Sequence, residues 1–162
     1  MDLSTLRQQA AGKKEDHKKL LKALQSKKSG EIDAAFHNAH EEVFACADCL
    51  QCANCCKTTG PLFTQKDIDR ISKHLRLKPA GFIDQNLRVD EDGDHVLQTV
   101  PCPFLGPDNY CGIYEVRPKA CREYPHTDRR NMKEILNLTR RNAAVCPAVL
   151  EILSKVKAAI ES

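Results

Sequence analysis

Five cysteines lie within an eleven-residue stretch of the chain, from Cys46 to Cys56. Cys49, Cys52 and Cys55 recur at three-residue steps, and Cys56 follows directly. A C-x-x-C step brings two thiolates to one metal ion or cluster, with the intervening backbone N–H groups pointing at the sulfurs. Three such positions in a row are typical of iron–sulfur ligand runs. The stretch therefore predicts a metal-binding loop.

Eight of the nine cysteines are candidate metal ligands. Four thiolates complete one zinc or iron–sulfur site, so eight are enough for two sites, and Cys46 is left over. The candidate ligands are Cys49, Cys52, Cys55, Cys56, Cys102, Cys111, Cys121 and Cys146.

The spacing favours one way of dividing these ligands between two centres. Side chains of adjacent cysteines are expected to point apart, so Cys55 and Cys56 are assigned to different centres. One centre then joins Cys49, Cys52 and Cys55 to the remote Cys146, because a Cys-Pro step closes the ferredoxin ligand run. The other centre holds Cys56, Cys102, Cys111 and Cys121. Groupings that exchange Cys56, Cys121 and Cys146 fit the spacing equally well.

Thiolate ligation is compatible with two kinds of metal centre. Zinc and iron–sulfur clusters both accept four cysteine ligands. Repeated C-x-x-C steps favour a four-iron cluster, whereas zinc sites more often use two separated C-x-x-C pairs. The expected cofactors are an iron–sulfur cluster of the four-iron type, zinc, or both.

The cysteine content also has a disulfide interpretation, which the sequence disfavours. Disulfides belong to oxidising compartments, whereas cytosolic cysteines bind metals or carry out chemistry. The segment Met1–Thr5 has no basic stretch followed by an apolar core, and no apolar run reaches membrane-spanning length. We therefore expect a cytoplasmic protein with no membrane association. The odd number of cysteines also fits disulfides poorly.

Three blocks of sequence around the cysteines resemble one protein family. They are Cys49-x-x-Cys52-x-x-Cys55-Cys56, Cys102-Pro103-Phe104-Leu105, and the segment from Cys111-Gly112-Ile113-Tyr114 to Cys121-Arg122-Glu123-Tyr124-Pro125. Together they resemble the YkgJ-type cysteine-cluster family of zinc- or iron-chelating proteins over roughly residues 46–147. Its members are often labelled iron–sulfur oxidoreductases, so the resemblance implies a redox or electron-transfer role. Longer proteins with this pattern resemble flagellin lysine methylases, which implies an accessory role in lysine modification as a variant.

A different function class also fits the sequence. Zinc bound by the cysteines can stabilise a protein-interaction module, whose amphipathic N-terminal helices bind a protein partner. No G-x-G-x-x-G or Walker loop supports a flavin, nicotinamide or nucleotide site. The net charge of +3, and a Lys-rich N-terminal segment without interleaved aromatic residues, predict no specific nucleic-acid binding.

Other side chains near the cysteines have two interpretations each. Cations can offset the negative charge of thiolates, and the candidates are Lys57, Arg117, Arg122, Arg129 and Arg130. Alternatively, an anionic substrate can bind a set formed by Tyr114, Arg117, Arg122 and Tyr124. His37 and His40 are either additional metal ligands or structural side chains, and His126 is a proton-transfer candidate.

Apolar periodicity predicts an α-rich, loop-heavy fold with one β-hairpin. Pro-rich metal loops occupy residues 101–126, and Pro118 starts a short helix that carries Cys121. Helices are predicted over residues 16–26, 31–44, 64–77 and 130–140, and from Pro79 and Pro147, with hairpin strands at 87–89 and 95–100. Three segments follow: an N-terminal helical extension (1–45), a cysteine-cluster domain (46–147) and a C-terminal helix packed on that domain (148–162).

Overall fold

The computed structural model describes residues 3–162, which divide into two compact units. The helical unit consists of the described residues up to Asp48 together with Pro125–Ser162, and the cysteine unit is Cys49–Tyr124. Residues 125–147 thus fall in the helical unit, although the sequence grouped them with the cysteine cluster; as domain boundaries, 45 and 147 stay a prediction. Met1 and Asp2, at the start of the segment considered for a secretory signal, lie outside the described residues.

The fold is rich in helices, as predicted. In chain order the elements are α1 (Leu6–Gly12), α2 (Lys14–Gln25), α3 (Ser29–Phe44), α4 (Cys49–Cys52), α5 (Asn54–Thr58), β1 (Leu62–Phe63), α6 (Gln65–His74), α7 (Pro79–Asn86), β2 (Leu87–Val89), β3 (His95–Leu97), a 3-10 helix (Tyr114–Val116), α8 (Lys119–Glu123), a 3-10 helix (Met132–Ile135), α9 (Leu136–Asn142) and α10 (Pro147–Glu161). Among these described helices, none combines the length and the apolar character that crossing a membrane requires.

The helical unit is built around α3 and α10, which pack against each other. Apolar residues at three- and four-residue steps give each helix one buried face, so the predicted helices at residues 16–26, 31–44 and from Pro147 are confirmed. Helix α1 was missed because its one buried side chain is Leu6. The shared core includes Leu24, Ile32, Phe36, Met132, Val149, Ile152, Leu153 and Val156.

The predicted helix over residues 130–140 begins later and less regularly than expected. Asn131 has a left-handed backbone with φ of 57°, a 3-10 turn follows, and α9 begins only at Leu136. The carboxylate of Asp33, on α3, accepts hydrogen bonds from the backbone N–H of Asn131 (2.9 Å) and of Met132 (2.8 Å). This helix start is therefore set by a residue about a hundred positions away, which periodicity does not detect.

The cysteine unit contains a small sheet and a second apolar core. Thr64 and Asp67 form the predicted capping box at the start of α6. Strands β2 and β3 form the predicted hairpin, although β3 ends at Leu97 rather than residue 100. Strand β1 was not predicted and pairs with β3, so the sheet order is β1-β3-β2. The buried core consists of Phe63, Ile68, Ile71, Phe82, Leu87, Leu97 and Ile113.

His17 is a polar side chain inside the apolar core of the helical unit. Only 4 % of it is exposed, and its Nε2 atom has no hydrogen-bond partner among the described residues. Burial lowers the pKa of His17 below its ordinary value of 6.5, and the nearby positive charge of Lys13 lowers it further. The folded protein therefore holds this imidazole in its neutral form.

We predict that His17 makes the protein less stable in mild acid. As the pH falls below 6.5, the unfolded chain takes up a proton that folded His17 does not, so the free energy of unfolding decreases until the pH passes the lowered pKa. The loss is about 1.4 kcal/mol per unit of lowering. Denaturant unfolding of His17→Leu between pH 7.5 and 5 should show a smaller decrease than wild type. His74→Leu, at an exposed position, is the matched control, and an unchanged decrease in His17→Leu would contradict this account.

Candidate metal centre

The first cysteine segment forms two short helical turns. Helix α4 carries Cys49 and Cys52, and α5 carries Cys55 and Cys56. Between them Ala53 has a left-handed backbone, with φ of 47° and ψ of 17°, and is buried. An alanine in this conformation costs about 1–2 kcal/mol. The reversal at Ala53 prevents the cysteines from following one continuous helix.

The second segment is a closed loop between Cys102 and Cys111. The backbone N–H of Cys102 donates to the carbonyl of Cys56 (2.8 Å), which joins this loop to the first segment. The loop is closed by hydrogen bonds from Gly106 N–H to the Tyr110 carbonyl (2.8 Å) and from Gly112 N–H to the Phe104 carbonyl (2.7 Å). Both cysteines also pack against the apolar core of the cysteine unit.

Two further residues hold the shape of this loop. Asn109 has a left-handed φ of 66°, and its side-chain amide donates to the carbonyl of Gln51 (3.1 Å), a second tie to the first segment. A Cβ at Gly106 would lie 2.9 Å from Asp108 Oδ1 and 3.2 Å from the Tyr110 carbonyl oxygen. Asp108 Oδ1 already accepts from the Tyr110 N–H (3.0 Å), so the loop has no room for a larger residue at position 106.

The third segment carries Cys121 on α8. Pro118 occupies the cap position rather than the first helical position that the sequence predicted, and α8 begins one residue later, at Lys119. The backbone N–H of Cys121 donates to the Pro118 carbonyl (3.0 Å). The short helix therefore starts two residues before the cysteine, so its first turn sets the position of Cys121.

Four thiols in the cysteine unit lie close enough for their charges to interact; we call them the four-thiol cluster. Burial and, after it, negative charge on the other three cysteines together raise the pKa of Cys121 to about 12. The pKa values of Cys102 and Cys111 are also raised by burial first and then by charge on Cys56. The members of the cluster are Cys56, Cys102, Cys111 and Cys121.

Cys56 is the thiol of this cluster that ionises most readily. A hydrogen bond from the Cys55 side chain is the main cause of a pKa lowered to about 7, and the charges of Arg117 and Lys57 contribute. Cys55 and Cys56 therefore meet through their side chains. The expectation that adjacent cysteines point apart is wrong for this pair, and so it no longer supports assigning Cys55 and Cys56 to different centres.

Backbone N–H groups point at two of the clustered sulfurs. Phe104 and Leu105 donate to Cys102, and Ile113 donates to Cys111, which favours the thiolate form of each. Such N–H to sulfur bonds are the contacts that metal-bound thiolates receive. Four soft sulfur donors with this support are a ligand set suited to zinc or to an iron–sulfur cluster.

The cluster is defined by proximity and not by finished coordination geometry. Within residues 3–162, no group of three or more His, Cys, Asp or Glu side chains is arranged to hold a metal ion. None of the nine cysteines, all of which lie among the described residues, forms a disulfide. Cys49 is exposed and Cys52 and Cys55 are partly buried in the cysteine unit. Cys46 and Cys146 belong to the helical unit, where Cys146 occupies the N-cap position of α10 and packs against the core.

Arg117 is a cation whose charge affects three thiols of the four-thiol cluster. Its guanidinium lies 3.7 Å from the centre of the Tyr114 ring, and its Nε donates to the Tyr114 carbonyl (2.9 Å). Its charge lowers the pKa values of Cys56, Cys111 and Cys121. This agrees with the interpretation of Arg117 as a charge that supports thiolates.

His37 and His40 have structural contacts within the helical unit. His37 Nε2 lies 2.8 Å from the Arg129 carbonyl oxygen, and His40 Nδ1 lies 2.8 Å from Thr127 Oγ1. The His40 ring also contacts the Phe44 ring, with 4.4 Å between ring centres and a tilt of 35°. Both histidines thus join α3 to the 127–129 loop. Arg129, a second predicted charge partner, forms an ion pair with Glu134 (3.2 Å).

Several residues that shape the site escaped sequence analysis. Ala53 has no signal in the sequence, because a left-handed backbone at an alanine follows from tertiary contacts. Asn109 had only a weak signal, since asparagine is enriched in this conformation. Asp67 did have a signal, its capping box, but that signal predicts only a helix start. In the structure its carboxylate also accepts the backbone N–H of Lys119 (3.1 Å), the first residue of α8.

We predict opposite effects for the same substitution at two glycines. Gly106→Ala should lower the free energy of unfolding by about 1–3 kcal/mol, because the new methyl group clashes with Asp108 and Tyr110. Gly81→Ala, in α7 with nothing within 4 Å of the new Cβ, should raise it by about 0.5–1 kcal/mol. Thermal or denaturant unfolding measures both. Equal effects at the two positions would show that the loop tolerates a side chain at position 106.

Comparison with known proteins identifies the family. A family model described as a "putative zinc- or iron-chelating domain", and named for its CxxCxxCC motif, matches residues 48–147, more than half of the chain. The comparisons with curated proteins and with solved structures found no match. The matched range confirms the resemblance carried by the three cysteine blocks. The chain belongs to the CxxCxxCC family, whose shared domain is described as chelating zinc or iron.

Proposed function

We propose that the four-thiol cluster binds a metal ion or an iron–sulfur cluster through four thiolates. The observation that carries the proposal is the mutual electrostatic effect of Cys56, Cys102, Cys111 and Cys121, which come from three separate segments. Without a cation, their burial and mutual repulsion favour the protonated forms. A bound metal reverses this balance, because metal ligation deprotonates thiols outright.

The residues around the cluster support thiolate ligation in distinct ways. The thiol of Cys56 loses its proton most readily, so it is the expected first ligand. The backbone N–H groups at Phe104, Leu105 and Ile113 stabilise the sulfurs of Cys102 and Cys111, and Arg117 adds a positive charge. An iron–sulfur cluster would supply one-electron transfer, and hydrogen bonds to its sulfurs together with the Arg117 charge would raise its reduction potential.

A second centre remains part of the proposal. Cys49, Cys52 and Cys55 supply three thiols from one run of the cysteine unit. Repeated C-x-x-C steps favour a four-iron cluster for this group. A protein holding such a cluster fits a redox or electron-transfer role in the cytoplasm.

The second candidate function is a zinc-structured interaction module without catalysis. The core of the cysteine unit supports it, because only seven buried apolar residues form the core of that unit, against seventeen in the helical unit, among the described residues. A unit of this size rarely gains more than about 3–5 kcal/mol from its apolar core alone. Zinc would then stabilise the fold of the cysteine unit.

Metal analysis of two cysteine variants tests the proposal. Protein purified without oxygen should contain metal; visible absorption with acid-labile sulfide indicates an iron–sulfur cluster, and a colourless protein with about two zinc ions per chain indicates the zinc module. Cys121→Ser should lose the metal of one centre, because an alcohol is a poor ligand for a soft-metal site. Cys46→Ser is the matched control: Cys46 lies outside the matched residues 48–147 and should leave the metal content unchanged.

Two outcomes would overturn parts of this proposal. A wild-type protein that binds neither zinc nor iron would contradict metal binding by the thiols. If instead Cys121→Ser keeps the full metal content, the four-thiol cluster is not a ligand set, and a different grouping of the eight cysteines must hold the metal.

We predict that metal removal loosens the cysteine unit selectively. A ligand present at about 1,000 times its Kd stabilises a fold by about 4 kcal/mol, and the proposed site within the cluster lies in the unit with the smaller apolar core. Hydrogen exchange after chelation should therefore accelerate strongly within residues 49–124 and much less within α3 and α10. Equal acceleration in both units would show that metal does not stabilise the cysteine unit in particular.

A further inference from the structure

Asp67 and Arg70 form an ion pair on α6 of the cysteine unit. Asp67 is 1 % exposed, and its Oδ1 lies 2.7 Å from Arg70 Nη2. The carboxylate also accepts from the backbone N–H of Thr64 (3.0 Å) and from Thr64 Oγ1 (2.8 Å). A carboxylate at this helix position is normally exposed to water and does no more than cap the helix. Its burial here calls for a further partner.

Both residues of the pair form hydrogen bonds with the segment that precedes Cys121. Asp67 Oδ1 accepts from the backbone N–H of Lys119 (3.1 Å), where α8 begins. Arg70 Nη2 donates to the carbonyl oxygens of Arg117 (2.7 Å) and Val116 (3.3 Å). Asp67 therefore holds the start of the helix that carries Cys121, and Arg70 holds the backbone of Arg117.

The carboxylate remains ionised in this position. Burial alone raises the pKa of Asp67, but hydrogen bonds from Thr64, Arg70 and Lys119 outweigh burial, so the pKa lies below its ordinary value. A charged acceptor makes stronger bonds to backbone N–H groups than a neutral acceptor does. The three bonds to residues 116–119 thus restrain a segment that is otherwise a short linker between a 3-10 helix and α8.

We propose that Asp67 and Arg70 are positioning residues for the metal centre, which set where Cys121 and Arg117 lie relative to the other thiols. This inference rests on the proposed function, because it assumes that Cys121 is a ligand. Neither residue binds metal. Metal–ligand distances tolerate errors of only about 0.2 Å, so a ligand on a helix as short as α8 needs support from outside that helix. The pair supplies such support from α6, forty-nine or more residues earlier in the chain than Lys119.

The test compares Arg70→Gln with Lys73→Gln in the full-length protein loaded with Zn²⁺ as the probe metal. Lys73 lies on the same helix, is exposed, and loses the same charge. Pulsed alkylation with mass spectrometry measures how well Zn²⁺ protects each cysteine, and chelator competition measures the affinity. Loss of a supporting residue around a metal ligand typically weakens metal binding about 10- to 100-fold.

We predict that Arg70→Gln increases the alkylation rate of Zn²⁺-protected Cys121 at least about 10-fold while Cys102 stays protected, and that Lys73→Gln changes neither. A purely structural role would expose both cysteines together, so equal increases at Cys102 and Cys121 overturn the inference, as does no change at either. If Arg70→Gln does not fold, the same ratio is measured in Asp67→Asn, with Asp69→Asn as its exposed control on α6. A wild-type protein in which Zn²⁺ protects no cysteine contradicts the proposed function instead.

Discussion

The structure of the cysteine unit depends on bringing together thiols that repel one another once they ionise. Burial and mutual charge hold the pKa of Cys121 at about 12, while Cys56, next to Cys55 and near Arg117, ionises near pH 7. Four ionised sulfurs that loops bring together destabilise the fold unless a positive charge offsets their repulsion. In the proposed function a bound metal cation would supply that charge, and the stability of the fold and the chemistry of the site would then depend on the same interaction.

The two units are stabilised by different interactions. In the helical unit, the apolar faces of α3 and α10 pack together. Asp33 and His37 also form long-range hydrogen bonds that attach residues 129–132 to α3. The cysteine unit has a smaller core, short elements and a loop closed by backbone hydrogen bonds. Packing can account for the order of the first unit, whereas the second is a candidate for additional stabilisation by bound metal.

Sequence reasoning predicted best where the determining interaction is local. Amphipathic stripes located α2, α3 and α10, the Thr64 box located α6, and charged turn residues located the hairpin. It missed β1, whose two residues have meaning only when paired with β3. It also placed the start of the helix after residue 130 too early, because the Asp33 carboxylate holds the preceding turn from a distant helix.

The site shows the same division between local and long-range information. Spacing favoured Cys56, Cys102, Cys111 and Cys121 as one group, the four thiols whose charges interact in the structure. It left other groupings open, because the choice between them depends on long-range bonds such as the one from Cys102 N–H to the Cys56 carbonyl. Asp67 is the clearest case: four residues, Thr64 to Asp67, are enough to predict a helix cap. Only the fold brings the same carboxylate to the N–H of Lys119. A single side chain thereby couples the start of α6 to the start of α8, so a local folding signal also acts on the helix that carries Cys121.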